Sequence, residues 1–103
     1  MEIEVKISKL SERDIINILG GAFSGYWYEH GHTLKEIALE LLKDNTIILS
    51  NYEIRGTYML SLNNLCKGIG LFIKNGGGIN LYKYSVDDCN KIIQYSLFGT
   101  IMF

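Results

Sequence analysis

The side chains best suited to chemistry lie close together. Glu29, His30, His32 and Glu36 surround Gly31, and the hydroxyls of Ser24 and Thr33 flank them. A histidine beside carboxylates can ligate a metal or act as a general base. A metal site needs three or four ligands in defined geometry, and the chain has only two histidines. No distant His therefore completes the His30-x-His32 pair. A general base needs a partner within hydrogen-bonding reach, and neither Ser24 nor Thr33 stands in a nucleophile motif. Gly76-Gly77-Gly78 lacks the following Lys-Ser/Thr of a phosphate loop. Asp87-Asp88 suits the first turn of a helix, where carboxylates complement the macrodipole. The expectation is a protein with no catalytic residues, no metal and no cofactor: not an enzyme.

Recognition is the chemistry that remains. Tyr26, Trp27, Tyr28, Glu29 and His30 form the densest polar-aromatic segment, bracketed by Gly25 and Gly31. Aromatic rings supply large contact area at low entropic cost, so these residues are candidates for partner or ligand binding. The alternative is that Trp27 plugs the core with Tyr26 or Tyr28 capping it. Gln94, Tyr95 and Phe98 form a second candidate patch, because they point partly away from the inward stripe of their helix. They become core instead if the terminal segment packs over them.

These residues must be positioned by short elements. Residues 2–6 alternate apolar and charged, the period of a half-buried strand. Ser11-Glu12-Arg13-Asp14, Thr33-Leu34-Lys35-Glu36 and Ser85-Val86-Asp87-Asp88 each have the form of a capping box. The first predicts a helix with Ile15, Ile18, Leu19 and Ala22 inward, ending near 24–25. The second predicts one with Leu34, Ile37, Ala38, Leu41 and Leu42 on its stripe, ending at 44–45. The third predicts one with Val86, Cys89, Ile92, Ile93 and Ser96 inward, stopped by Gly99. A further helix spans 62–74, with Leu62, Leu65, Cys66, Ile69, Phe72 and Ile73 on one face and Gly68 and Gly70 inside it. Glycines there either weaken the helix or admit another backbone closely. Residues 46–50 and 57–60 read as a hairpin, 79–84 as another strand, and 100–103 as a short terminal strand or tail. The fold class is α+β: one domain over 1–103, a mixed or antiparallel sheet of about four strands, and three or four helices on one side.

The whole-chain numbers agree. A length of 103 residues suits one domain, and 48% apolar residues provide a core. Ten Lys+Arg against eleven Asp+Glu leave a net charge of −1, which argues against a nucleic-acid binder. No apolar run approaches the roughly 18–20 residues of a membrane span. Met1-Glu2-Ile3-Glu4-Val5 does not read as a signal peptide. Cys66 and Cys89 stand in no metal or redox motif and read as small buried hydrophobes. The expected location is the cytoplasm.

Four segments carry a resemblance that spans nearly the whole chain. They are Leu10-Ser11-Glu12-Arg13-Asp14-Ile15, Gly25-Tyr26-Trp27, Leu65-Cys66-Lys67-Gly68-Ile69, and Ile92-Ile93-Gln94-Tyr95-Ser96-Leu97-Phe98-Gly99. The chain resembles a family of small proteins from bacteriophages and prophages of Firmicutes, which closes on an Ile-Ile-Gln-Tyr-Ala-Leu-Phe-Gly motif. Cys66 stands where Leu is commoner and Ser96 where Ala is. The acidic residue and final glycine that often follow the motif are missing, which alters any surface built from the terminus. The resemblance implies an accessory phage protein in the host bacterial cytoplasm, of anti-CRISPR-like type, which blunts host defence by binding an effector protein. The alternatives are an oligomer that sequesters a nucleotide immune signal, with aromatic stacking and Gly-rich loops, and a structural or regulatory phage dimer. A homo-oligomer is expected, because aromatic and aliphatic residues lie outside the helix stripes.

Overall fold

Short polar side chains set the helical frame. In the computed structural model, which describes residues 10–102, Ser11, Thr33 and Ser85 each accept a hydrogen bond from the backbone N–H three residues on. The carboxylates of Asp14, Glu36 and Asp88 accept one in return from the capping residue's own N–H. These reciprocal bonds start α1 (Glu12–Phe23), α2 (Leu34–Leu42) and α4 (Val86–Phe98). Ser61 caps α3 (Leu62–Lys74) through its hydroxyl alone. Gly99, at φ 74°, ends α4 in the left-handed conformation that glycine adopts without penalty.

The sheet has three antiparallel strands in the order β1 (Trp27–Tyr28), β2 (Ile47–Asn51) and β3 (Thr57–Leu60). Trp27 pairs with Asn51, Tyr28 with Ser50, Ile48 with Met59 and Ser50 with Thr57. Along β2, Ile47, Leu49 and Asn51 are buried while Ile48 is exposed. One face therefore meets the helices, and the other presents Ile48, Met59, Ser50, Thr57 and Tyr28. This is an α+β domain with four helices and one strand fewer than the expected four, counted over the described residues.

The core joins Ile15, Ile18, Leu19 and Ala22 of α1, Ile37, Ala38 and Leu41 of α2, and Leu65, Ile69 and Phe72 of α3. Cys89, Ile92 and Ile93 of α4 complete it, with Trp27, Leu49 and Leu60 from the sheet. Helix α4 is central, packing on α1, α3 and β3. Two glycines let it come so close. A Cβ on Gly21 would meet Cys89 Cβ at 3.0 Å, and one on Gly68 would lie 2.7 Å from both Ile92 O and Ser96 N. Of the two readings of Gly68, close backbone approach is the observed one.

Several expectations need correction. Residues 79–84 form no strand. Asn80 Oδ1 accepts from Tyr82 N at 3.0 Å and starts a single 3₁₀ turn, Leu81–Lys83. Ile79 and Tyr82 face outward, 78% and 63% exposed, while Leu81 and Tyr84 pack against the core, an inward spacing of three residues instead of the alternation of a strand. Val86 and Leu42, the first residue of α4 and the last of α2, are exposed and not on the inward stripes. Residues 100–102 form a tail without strand pairing, in which Met102 N donates to Gln94 Oε1 at 2.8 Å. The strand expected at 2–6 and the end of the chain at 103 lie outside the described residues. Trp27–Tyr28 is a strand that hydrophobic periodicity could not reveal, being only two residues long.

Gly68→Ala is expected to destabilise the protein by about 1–3 kcal/mol through overpacking. Gly20→Ala, whose new Cβ would meet only Leu34 Cδ1 at an ordinary 3.5 Å, is expected to stabilise it by up to about 1 kcal/mol. Urea unfolding of the two variants checks both signs.

Candidate functional site

Strand β1 divides the aromatic segment between two environments. Trp27 points inward and is fully buried, its indole Nε1 donating to Asn90 Oδ1 of α4 at 2.8 Å. Its ring packs edge-on against Tyr58 at 5.9 Å and tilted against Phe98 at 6.5 Å. Tyr26 is half-buried against the core, and its carbonyl accepts from Tyr52 N. Trp27 is therefore core, as the alternative reading had it, and offers no surface to a partner.

The second candidate patch is buried at one residue and half-buried at the other two. Gln94 is fully buried and holds the tail through Met102 N. Tyr95 and Phe98 are half-buried against the core, with Phe98 edge-on to Tyr58 at 5.3 Å. Helix α4 meets neighbours on several sides: Gln94 is buried and Phe98 packs on Tyr58, while half-buried Tyr95 lines an open recess beside the glycine loop. The sheet rather than a terminal strand covers Phe98.

Tyr28 faces the other way. Its ring lies 4.7 Å from Tyr52 and 4.9 Å, edge-on, from His30. Beside this trio, the cross-strand pair Ile48 and Met59 is 57% and 62% exposed, and Tyr52 is 66% exposed. Large apolar side chains placed together on a sheet face that no described element covers differ from scattered single exposures, and such patches mark interaction surfaces. Ile48, Tyr52 and Met59 were not among the sequence candidates. The period-2 exposure of positions 48, 50 and 52 was the available signal, obscured by the continuous apolar run Ile47-Ile48-Leu49.

A recess of about 420 Å³ opens at one end of this face, lined by Glu29, His32, Ile37, Glu40, Thr46, Ile47 and Ile48. The Glu29 side chain is only 9% exposed; its Oε1 lies 2.7 Å from His32 Nδ1, and its Oε2 accepts from His32 N at 3.2 Å. Glu40 Oε2 accepts from Asn45 Nδ2 at 2.6 Å. The hydrogen bond and charge of Glu29 raise the His32 pKa, with Glu36 and Glu40 adding to the effect. Glu36 is itself held below the usual carboxylate range by its hydrogen bonds to Thr33. His30 leans on Tyr28 instead, so the two histidines do not converge. Among the described residues, no three of His, Cys, Asp and Glu come together in a way that could hold a metal.

The remaining candidates have structural roles. Gly77 lies over the Phe72 ring, where a Cβ would meet Cζ at 2.6 Å, so its lack of a side chain serves packing. Asp88 closes the α4 cap, and Asp87 pairs with Lys91 at 3.1 Å. Cys66 and Cys89 are free thiols. Burial pushes the Cys89 pKa up to about 11 and also raises that of Cys66, which makes both poor nucleophiles at neutral pH. No helix among the described residues is long and apolar enough to cross a membrane.

Two outcomes follow from this geometry. Asn90→Ala removes the acceptor of a buried indole bond and is expected to cost about 1–3 kcal/mol, whereas Tyr52→Ala stays within about 0.5 kcal/mol; denaturant unfolding separates them. The His32 imidazole titrates above its ordinary 6.5. Because its folded-state pKa is raised, the stabilising pair is fully present below about 6.5 and is lost as pH rises through the folded value. Glu29→Gln is expected to move the NMR-measured His32 midpoint downward. No family model, no curated protein and no solved structure matches the chain, and the residues themselves carry the functional reading.

Proposed function

We propose that this chain is a non-enzymatic binding protein that occupies a macromolecular partner stoichiometrically. The carrying observation is the Ile48–Met59 pair, flanked by Tyr28, Tyr52 and His30, on the face of the sheet that no described element covers. A sheet face that only meets water usually alternates to polar residues. Here the outward positions combine large apolar side chains with the small polar Ser50 and Thr57, a flat surface suited to an incoming polypeptide. The resemblance to small phage proteins supports a host defence effector, met in the bacterial cytoplasm, as the class of partner.

The surface favours a protein over a nucleotide signal. Tyr28 and Tyr52 offer stacking area, but the adjoining recess is lined by Glu29 and Glu40 and by no Lys or Arg. A phosphate would be repelled there. Near the Gly-rich loop, the cationic head of Lys91 is already paired with Asp87.

The test uses Ile48→Thr/Met59→Thr, which keeps β-branched residues on the strands while removing apolar surface. Wild-type protein immobilised against host lysate is expected to retain a partner at a fixed molar ratio, and the double variant, equally stable, to bind it at least about tenfold more weakly. Equal retention by the variant overturns the proposal. So does turnover of any substrate that is lost on altering His30 or His32.

A further inference from the structure

Ile48 belongs to two features at once. It is half of the exposed Ile48–Met59 pair, and it also forms a wall of the 420 Å³ recess. Sheet face and recess are thus one continuous surface, apolar in the middle and acidic at one end. We propose, resting on the docking reading above, that the segment seated on this face is a basic stretch of polypeptide. Its Lys or Arg side chain enters the recess, with the aliphatic stem against Ile37, Ile47 and Ile48 and the charged head at Glu29 and Glu40. A neighbouring apolar side chain rests on Ile48 and Met59.

Three observations support that occupant. The walls combine branched aliphatic groups with carboxylates, which matches a side chain whose stem is apolar and whose tip is cationic. The Glu29 side chain is nine-tenths buried, and a charge-assisted hydrogen bond to a carboxylate withdrawn from water is stronger than one on an open surface. Its present partner, His32, is itself 56% exposed and sits at the rim, so an arriving cation can share or replace it. A partner that fills the recess as well as covering the sheet face adds charge pairing to apolar contact.

Protonated His32 is the competitor for Glu29. The charged groups acting on it are Glu29 from the loop after β1, and Glu36 and Glu40 from α2. Raising the pH through the His32 midpoint removes the competing positive charge and strengthens binding of a cationic side chain, while a neutral one is unaffected.

The experiment titrates methyl-labelled full-length protein by NMR with three peptides: acetyl-Ile-Lys-Ile-amide, its norleucine isostere and its glutamate counterpart. The lysine peptide is expected to shift the Ile37, Ile47, Ile48 and Met59 methyls and to bind about tenfold more tightly than the norleucine peptide, with the glutamate peptide weakest. Glu40→Gln, at a residue only partly buried, is expected to cut the lysine preference at least about threefold. Lowering the pH below the His32 midpoint is expected to cut it about threefold as well. Equal affinity for lysine and norleucine on the same methyls overturns the basic occupant while leaving the docking face intact. Failure of all three peptides to shift these methyls overturns it too, and the Ile48→Thr/Met59→Thr capture test then judges the docking reading separately. Methyl shifts that follow protein concentration without peptide assign the face to a second copy and also overturn it.

Discussion

The hydrogen bond from the Trp27 indole to the Asn90 amide holds sheet and helices in one arrangement. It joins the shortest strand to the most central helix, and both partners are buried, so neither group can exchange it for water without opening the core. A buried polar pair of this kind is costly to break and directional, unlike the aliphatic packing around it. Trp27 faces Asn51 across β1–β2, so fixing the indole also fixes the pairing of the first two strands. The rings of Tyr58 and Phe98 then close around it, carrying the same constraint to β3 and to the end of α4.

Because side chains alternate along a strand, anchoring Trp27 inward obliges Tyr28 outward. The same register puts Ile48 opposite Met59 on the outer face. The apolar outer surface is thus a geometric consequence of how the inner one is pinned. The loop that follows β1 carries Glu29 back toward α2, whose cap at Thr33 places Glu36 and Glu40 on the same side as the recess. Core, face and recess share a single origin in two consecutive aromatic residues.

Much of the helical frame was legible in the sequence. The three capping boxes have local causes, a hydroxyl and a carboxylate three residues apart, and their helices begin where the residues require. Gly68 announced a close approach without naming its neighbour. Direction was harder to read. Trp27 and Tyr28 are adjacent aromatics with opposite fates, and only the pairing with Asn51 and Ser50 decides which goes inside. Gln94 and Phe98 read as outward on an isolated helix, but α4 has neighbours around most of its girth. Residues 79–84 had β-like composition and no partner strand among the described residues, so the Asn80 side chain won locally. Ile48 and Met59 were hidden for the opposite reason: apolar residues in a strand suggest burial, and here the described elements cover the sheet on one side only.

The lone indole, locked in the interior on the side of the sheet away from the aromatic trio, makes a selective optical reporter. Its emission follows the integrity of the packed interior and is insulated from events on the far face. Tyr28 and Tyr52 stack on that opposite face. The scaffold thus carries its own optical reporter without an added label.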